Sequence, residues 1–172
     1  MLRILSLMIA ITVIPAYCSG ADVLTIDQVT GNAGDTNIPC FVTATHDLAI
    51  EGFAIGIQFN PAELTLASID FQDTSLSALL AGADPDFAGT SINNITGTFL
   101  AGVIFGYGSV TLPPVSMPAS PADQNSLLRM LFSIDSSALP KLIPLQFVDG
   151  VGDPPVINVL SSGGASITPQ LV

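Results

Sequence analysis

The sequence predicts an all-β fold, an antiparallel β-sandwich of eight or nine short strands with one short helical turn near residues 75–82. Apolar residues alternate with small or polar ones in most of these stretches, which is the period of a strand with one buried face. Clusters of Gly, Pro, Asn and Asp separate the stretches at steady intervals, as they do in antiparallel sandwiches. A chain of 172 residues without an internal repeat favours one domain.

Residues 1–21 have the pattern of a signal peptide. Arg3 supplies a positive charge, residues 4–15 are mostly apolar, and small residues follow at positions 19–21. The apolar part is too short to span a bilayer comfortably. We therefore expect export, with the folded domain over residues 22–172 and a secreted or cell-surface location.

Cleavage before Ser19 and cleavage before Asp22 both fit, since small residues precede each position. Lipidation at Cys18 is disfavoured, because Tyr17 stands where a lipidation signal has a small residue. If Cys18 leaves with the signal peptide, Cys40 has no disulfide partner within the chain. We interpret Cys40 as a small buried hydrophobe in an alternating strand.

The domain is strongly acidic. The chain has 14 Asp and Glu against 3 Lys and Arg, a net charge of −11, and only Arg129 and Lys141 remain cationic after residue 21. Such a charge repels nucleic acid and anionic membrane surfaces, so neither is an expected partner. It also keeps an apolar-rich extracellular domain in solution.

The first two strands are predicted over residues 23–29 and 36–45, and a turn cluster with two glycines at residues 30–35 joins them. Pro39 interrupts the second strand. Because proline has no N–H to donate to a ladder, it implies a sheet edge or a bulge at that point.

Residues 51–71 form the most regular unit of the sequence. Apolar residues occupy every second position at Phe53, Ile55, Ile57 and Phe59. Asn60-Pro61 ends this strand, because proline removes a hydrogen-bond donor and biases the preceding residue away from helix. A second alternating run follows through Leu64 and Leu66.

A short helix is predicted over residues 74–83, since Thr74 or Ser75 can cap it and its leucines share one face. Asp84-Pro85-Asp86 ends this helix, and residues 89–97 are interpreted as turn-rich, with Ile92 and Ile95 as short apolar anchors. Residues 98–107 form a strong strand that is apolar on both faces, which predicts the middle of a sheet or a covered position.

Residues 108–123 contain four prolines and are interpreted as an extended connection. Clean alternation of apolar residues from Leu128 to Ile134 favours strand over helix for residues 126–134. Three further strands are predicted over residues 139–148, 156–160 and 165–168, with a hairpin tip at residues 161–164.

The order of these features resembles the cohesin-like domains, which share a nine-stranded jelly-roll with certain carbohydrate-binding modules. The likeness covers roughly residues 23–168. It is carried by Gly31-x-x-Gly34-Asp35-Thr36 before IPCFVTA, Gly52-Phe53 before Ile57-Gln58-Phe59-Asn60-Pro61 and Leu64, Gly97-x-Phe99, the run 127–134, and Ile143-Pro144-Leu145.

The resemblance implies an exported, non-catalytic module that binds another extracellular protein, dockerin-like or at the cell surface, within a cell-surface or polysaccharide-degrading assembly. The alternative function is a carbohydrate-binding module that attaches to extracellular polysaccharide. Members of the family often lie beside a dockerin module or an enzyme, whereas here nothing follows Val172. We therefore expect either a lone secreted domain or a truncated product.

No enzyme activity is expected. His46 is the only histidine and lies beside Asp47, so we interpret it as a solvated loop histidine rather than a general base. The only glutamates, Glu51 and Glu63, lie at opposite ends of one strand–turn unit. That position does not suit the paired carboxylates of glycoside hydrolysis.

No cofactor or metal is expected. The best calcium candidates are Asp84, Asp86, Asp149 and Asp153, but their spacing matches no defined calcium loop. Direct sugar binding is weakened, because such binding uses flat aromatic platforms. The chain has no tryptophan, and Tyr107 is its only tyrosine after the signal peptide.

The outward register of three strands predicts a binding face, in which small and aliphatic residues surround one arginine. The face consists of Ala54, Gly56, Gln58, Leu100, Ile104, Leu127, Arg129 and Leu131. An exposed patch of this kind is typical of a protein interface. The alternative is that the loop at residues 75–97, or the proline-rich segment, covers this face.

Overall fold

A computed structural model describes residues 21–108 and 114–172 of the protein. The predicted signal peptide, apart from Ala21, and part of the proline-rich connection lie outside these residues. The described elements are β1 (Val23–Ile26), β2 (Ile38–His46), β3 (Gly52–Gln58), β4 (Leu64–Asp70), α1 (Ser75–Leu79), β5 (Phe87–Asn93), β6 (Thr98–Ile104), β7 (Ser120–Ile134), β8 (Gln146–Phe147), β9 (Val159–Ser162), β10 (Ala165–Ile167) and β11 (Gln170–Leu171). In the described ranges, no helix is long and apolar enough to cross a membrane.

The strands form two sheets stacked as a sandwich, which confirms the predicted fold class. Sheet 1 has the order β11-β1-β2-β7-β4, and sheet 2 has the order β10-β9-β3-β6-β5 with β8 also paired to β3. One pair departs from the antiparallel prediction, because β11 runs parallel to β1. The tail crosses from sheet 2 to sheet 1 and follows β1, with the N–H of Gln170 donating to the carbonyl of Asp22.

The hydrophobic core lies between the sheets, and the predicted inward residues fill it. Phe53, Ile55 and Ile57 of sheet 2 are at most 2% exposed, and Leu128 and Met130 of sheet 1 are fully buried. Burial of this apolar surface is the main favourable contribution to folding. The alternation read from the sequence therefore identifies the core side of both sheets.

The Asn60-Pro61 turn carries the chain from sheet 2 to sheet 1. The carbonyl of Asn60 accepts from the N–H groups of Glu63 and Leu64, and its side-chain oxygen accepts from the N–H of Ala62 at 3.1 Å. Such a local Asx turn satisfies the backbone while the chain reverses. The two predicted strands on either side of the turn are both present, but they lie in different sheets.

Two aromatic pairs reinforce the core. The rings of Phe59 and Phe132 meet edge to face with centroids 5.4 Å apart, and this pair joins sheet 2 to sheet 1. The rings of Phe53 and Phe105 form a second edge-to-face pair at 6.1 Å within sheet 2. Edge-to-face pairs stabilise beyond their buried area, because the positive ring edge meets the negative ring face.

Pro39 lies at an open edge, as predicted. The carbonyl of Phe41 faces β1 and accepts from the N–H of Asp27 at 3.0 Å. Pro39, two residues earlier, faces the same side, but β1 pairs only with Val42–Thr45 and does not reach it. The missing N–H of the proline therefore interrupts no ladder.

Cys40 is a buried residue, as predicted. Its side chain is fully buried, and its thiol lies 3.4 Å from the carbonyl oxygen of Asp27. Burial raises the pKa of the Cys40 thiol to about 12, with a smaller contribution from the charge of Asp27. The thiol is therefore not reactive as a nucleophile at neutral pH.

The predicted helix is present but shorter, over Ser75–Leu79. The side-chain oxygen of Thr74 caps it by accepting from the N–H of Ser77 at 3.0 Å. Leu76 is fully buried and anchors the helix to the core. Ser75 and Ser126 exchange backbone-to-hydroxyl hydrogen bonds, which fix the helix against β7.

Three sequence interpretations of the fold are wrong. The extended connection predicted over residues 108–123 ends earlier, because β7 begins at Ser120. The segment at residues 89–97, interpreted as turn-rich, contains most of the seven-residue strand β5. All residues of β5 are exposed, so they show no alternation of buried and exposed positions. The strand predicted over 139–148 is reduced to Gln146–Phe147. Pro140 and Pro144 lack N–H groups for a ladder, so the first part of that segment remains irregular.

Candidate functional site

The predicted binding face is divided between the two sides of the sandwich. Ala54, Gly56, Gln58, Leu100 and Ile104 lie on β3 and β6 of sheet 2, whereas Arg129 and Leu131 lie on β7 of sheet 1. The outward sides of two stacked sheets point in opposite directions. The prediction of a single patch is therefore wrong, because alternation shows which side of a strand is buried but not which sheet contains the strand.

Leu127 was expected to face outward and instead is fully buried. Val42 pairs with Leu128 and Thr43 pairs with Ser126, so Leu127 is the extra residue of a β-bulge. A bulge breaks the two-residue period of a strand, and α1 also packs on β7. Leu127 contributes to the core rather than to a surface.

Arg129 is held within the chain. Its Nε and Nη2 donate to the two carboxylate oxygens of Asp70 at 2.9 and 3.0 Å, its Nη1 donates to Asp73 at 2.7 Å, and Nη2 also donates to the Gln72 side chain at 2.7 Å. The bidentate contact holds the loop that leads into α1 against β7. The arginine at the centre of the predicted face is thus part of an internal ion-pair network.

A loop covers the middle of the sheet 2 face, and it is neither of the two segments expected to do so. It comprises residues 148–158, between β8 and β9. A Cβ atom on Gly56 would lie 2.6 Å from the carbonyl oxygen of Val148 and 2.7 Å from the side chain of Val151, and Gly152 lies directly against Leu100. Gly56 and Leu100 are therefore not free to meet a partner.

Asn158 holds this covering loop. Its side-chain oxygen accepts from the N–H of Gly56 at 2.9 Å, and its own N–H and amide group donate to Asp149 at 2.8 and 2.7 Å. Asn158 is only 2% exposed. The hydrogen bonds that Asn158 donates lower the pKa of the Asp149 carboxyl, and the bond from its backbone N–H contributes more than the bond from its side chain.

The uncovered part of the sheet 2 face is a shallow trough. One row of paired residues crosses it as Ala54, Gly102 and Gly89, on three neighbouring strands. A Cβ atom on Gly102 would meet nothing within 4 Å, so the floor of the trough is open above this residue. Two glycines and an alanine in one row let another surface approach the backbone closely.

A second row lies beside the first, in which Ile104 pairs with Gly52 on one side and Phe87 on the other. The Phe87 side chain is 48% exposed and its ring leans over Gly89. Tyr107, 61% exposed, lies next to Ile104 at a depression of about 300 Å³. We call these two rows and Tyr107 the trough. Phe87 and Gly89 were not predicted as part of a binding face, because their strand was not predicted.

The rim of the trough is acidic. Glu51 lines the depression beside Ile104, and the carboxylate of Asp86 accepts from the N–H of Tyr107 at 2.6 Å. Arg129 and Lys141, the cationic side chains of the described residues, both pair with carboxylates elsewhere in the chain. The trough therefore favours an apolar side chain accompanied by a cationic group.

A larger groove of about 520 Å³ lies at the opposite end of the sandwich. Its walls are mostly aliphatic and include Val29, Ile38, Leu139, Leu142 and Ile143. Lys141 contributes to the rim, but its Nζ pairs with Glu63 at 2.5 Å. The groove can accommodate apolar groups, but its charged rim group is already engaged.

The residues considered for catalysis do not come together. Glu51 directly precedes β3, and Glu63 lies beyond the Asn60-Pro61 turn that follows this strand. The seven residues of β3 between them span about 23 Å. The hydrogen bond from Lys141 lowers the pKa of the Glu63 carboxyl, whereas the acid of a glycosidase has a raised pKa.

The expectation of a solvated His46 is wrong, because its side chain is fully buried. Its Nδ1 lies 2.7 Å from the Leu48 carbonyl oxygen, and its Nε2 lies 3.2 Å from the Asn125 side-chain amide.

The four aspartates considered for calcium lie in two places. Asp86 binds the N–H of Tyr107, and Asp149 binds Asn158, so both carboxylates have ordinary hydrogen-bonding roles in turns. Across residues 21–108 and 114–172, no group of three His, Cys, Asp or Glu side chains is arranged to hold a metal ion.

Comparison with known proteins identifies the fold. The chain is similar to a cohesin in a type I cohesin–dockerin complex from Clostridium thermocellum, with a TM-score of 0.63, 12% identity, and coverage of 88% of this chain and 94% of that one. It is similar to a type I cohesin from Pseudobacteroides cellulosolvens, with a TM-score of 0.62, 10% identity and 88% of each chain covered. The chain is also similar to a type II cohesin domain from the cellulosome of Acetivibrio cellulolyticus, with a TM-score of 0.53 and 11% identity. The match covers 90% of this chain and 92% of that one. No family model and no curated protein matches the sequence, and the structural likeness shows a cohesin-like fold.

Proposed function

We propose that this cohesin-like domain is an exported, non-catalytic module that binds another protein through the trough, in a cell-surface or polysaccharide-degrading assembly. The observation that carries the proposal is the row Ala54, Gly102 and Gly89, which is open above Gly102, with Ile104 and the exposed Phe87 beside it. An exposed aromatic ring and a half-buried aliphatic side chain next to a glycine floor are suited to an interface core.

The proposed partner is dockerin-like. Two of the similar structures are cohesins in complex with dockerins, and a third comes from a cellulosome. The trough adds a chemical requirement, since its acidic rim and apolar floor favour a partner that presents a hydrophobic side chain next to Lys or Arg. Export follows from the pattern of residues 1–21 and agrees with an extracellular assembly.

Replacing Ile104 with aspartate should weaken partner binding about tenfold or more, because it places a charge at the centre of an apolar contact. Titration calorimetry with purified dockerin modules measures the change, and circular dichroism checks the fold. Leu131→Asp is the matched control, since Leu131 was predicted to share the same face and lies on sheet 1. If wild type and Ile104→Asp are both folded and bind the dockerin module with equal affinity, the proposal is disproved.

A second candidate function is carbohydrate binding, favoured by the exposed rings of Phe87 and Tyr107 on one side of the domain. Aromatic rings can stack on apolar sugar faces. The protein-recognition proposal predicts that insoluble polysaccharide does not retain the domain. Retention that disappears in Tyr107→Ala, measured by sedimentation with cellulose and xylan, would favour the carbohydrate-binding function instead.

A further inference from the structure

Strand β5 forms an edge of sheet 2, and it approaches β4 where Asn94, directly after the strand, pairs with Leu66. All seven residues of Phe87–Asn93 are exposed, and every one of them pairs with β6 without a register shift. Exposed edge strands present unpaired backbone groups to other chains, and proteins usually protect them with charge, proline or a bulge. The segment FAGTSIN has none of these.

The hydrogen-bonding pattern shows which groups of β5 are free. Within β3, the N–H of Gly56 donates to Asn158 and its carbonyl accepts from Val148, so even-numbered residues of β3 face away from β6. The odd-numbered residues of β3 face β6, where they pair with odd-numbered residues. Even-numbered residues of β6 therefore face β5, where they pair with the odd-numbered residues of that strand. By the alternation of an antiparallel ladder, Ala88, Thr90 and Ile92 direct their N–H and C=O groups away from the sheet.

Other edges in the described residues are shorter or partly satisfied. Strand β10 has three residues. Strand β4 is interrupted between Leu66 and Ser68, and the side chain of Asn94 pairs with the backbone of Leu66, accepting from its N–H at 2.9 Å and donating to its carbonyl at 3.0 Å. Strand β5 is thus a long, regular edge whose backbone is available for pairing.

We propose that this edge accepts an extended segment of a partner protein as an added antiparallel or parallel strand of sheet 2. The partner segment is uncharged where it pairs with β5. It carries Lys or Arg beside the paired part, because Asp84 and Asp86 precede β5. The small side chains of Ala88 and Thr90 leave room for its backbone. Ile92, 38% exposed, gives it an apolar contact on the core side.

A second copy of this chain is a less suitable occupant, because each copy has a net charge of −11 and two such chains repel each other. The edge is also distinct from the trough, since strand addition uses the backbone of β5 rather than outward side chains. The inference is therefore independent of the proposed function, and Ile104→Asp should not affect it.

The test uses a synthetic nine-residue peptide of alternating threonine and valine with lysine at both ends, and a matched peptide with glutamate at both ends. Fluorescence anisotropy measures affinity for the full domain, and amide NMR shifts locate binding. We expect the lysine peptide to bind more tightly than the glutamate peptide, with shifts at Ala88, Thr90 and Ile92. Thr90→Pro should weaken binding about tenfold or more, because it removes a free N–H, whereas Thr90→Val should not.

N-methylation of alternate peptide amides, in the two possible registers, tests strand pairing without changing the protein, in case Thr90→Pro unfolds it. In at least one of the two registers, the methylated peptide should no longer bind the domain. Unchanged affinity in Thr90→Pro and in both methylated peptides would overturn the proposal. Loss of peptide binding in Ile104→Asp alone would also overturn the proposal. So would self-association of the domain that Thr90→Pro abolishes, because a second copy of the chain would then occupy the edge.

Discussion

Replacing Phe132 with alanine should lower the free energy of unfolding by about 3–5 kcal/mol, the range for truncating a buried aromatic residue. Phe132 is 3% exposed and lies on β7, between Ile38 of β2 and Leu66 of β4. Its ring meets Phe59 of the opposite sheet at 5.4 Å. The substitution therefore leaves a cavity and also removes an aromatic contact between the two sheets.

Urea denaturation followed by circular dichroism measures this change as a shift of the midpoint at unchanged slope. Ser133→Ala is the control one residue along the same strand, on the outward side, and it should change the free energy of unfolding by no more than about 0.5 kcal/mol. A similar effect of the two substitutions would show that the Phe59–Phe132 contact does not hold the sheets together.

Asn158→Ala should lower the free energy of unfolding by about 1–3 kcal/mol, because it leaves the buried N–H of Gly56 without its acceptor. The same change removes one of the bonds that hold Asp149. We expect the covering loop at residues 148–158 to loosen while the rest of sheet 2 remains folded. Hydrogen exchange should then become faster at Gly56 than in wild type.

The difference between wild type and Asn158→Ala should depend on pH. The pKa of Asp149 is lower in the folded protein than its ordinary value, because the backbone N–H of Asn158 and, second, its side-chain amide donate to the carboxylate. Asn158→Ala removes only the side-chain bond, so only that part of the pKa lowering is lost in the variant. That part of the stability is present above the ordinary carboxyl pKa and is lost as the pH falls through the lowered value. Denaturation experiments at pH 7 and in acid should show that the two proteins differ less in free energy of unfolding in acid. A larger difference in acid would contradict this role of Asp149.

The core was predictable from sequence because alternation is a local signal. Phe53, Ile55 and Ile57 are inward in the structure as they are in the pattern, and Asn60-Pro61 marks a real turn. Strand β5 was not predictable by the same rule, because a strand solvated on both faces has no burial period. The bulge at Leu127 was also hidden, since it depends on how β7 pairs with β2.

The candidate site was only partly predictable. Ala54 and Ile104 were correctly placed on the outward side of their strands, and Ile104 lies beside the depression of the trough. Phe87 was missed together with its strand, and Arg129 was expected at the centre of the face although it pairs with Asp70 and Asp73. An ion pair between residues far apart in sequence leaves no local pattern.

The sequence by itself determined the all-β class, the inward side of most strands and the acidic character of the domain, because period, turn residues and charge are properties of neighbouring residues. Only the tertiary structure decided which strands share a sheet, and therefore that Ile104 and Leu131 lie on opposite sides of the sandwich. It also decided that the loop held by Asn158 covers Gly56 and leaves Gly102 open. Sheet assignment and loop coverage depend on contacts between residues distant in the chain, which a period of two residues does not specify.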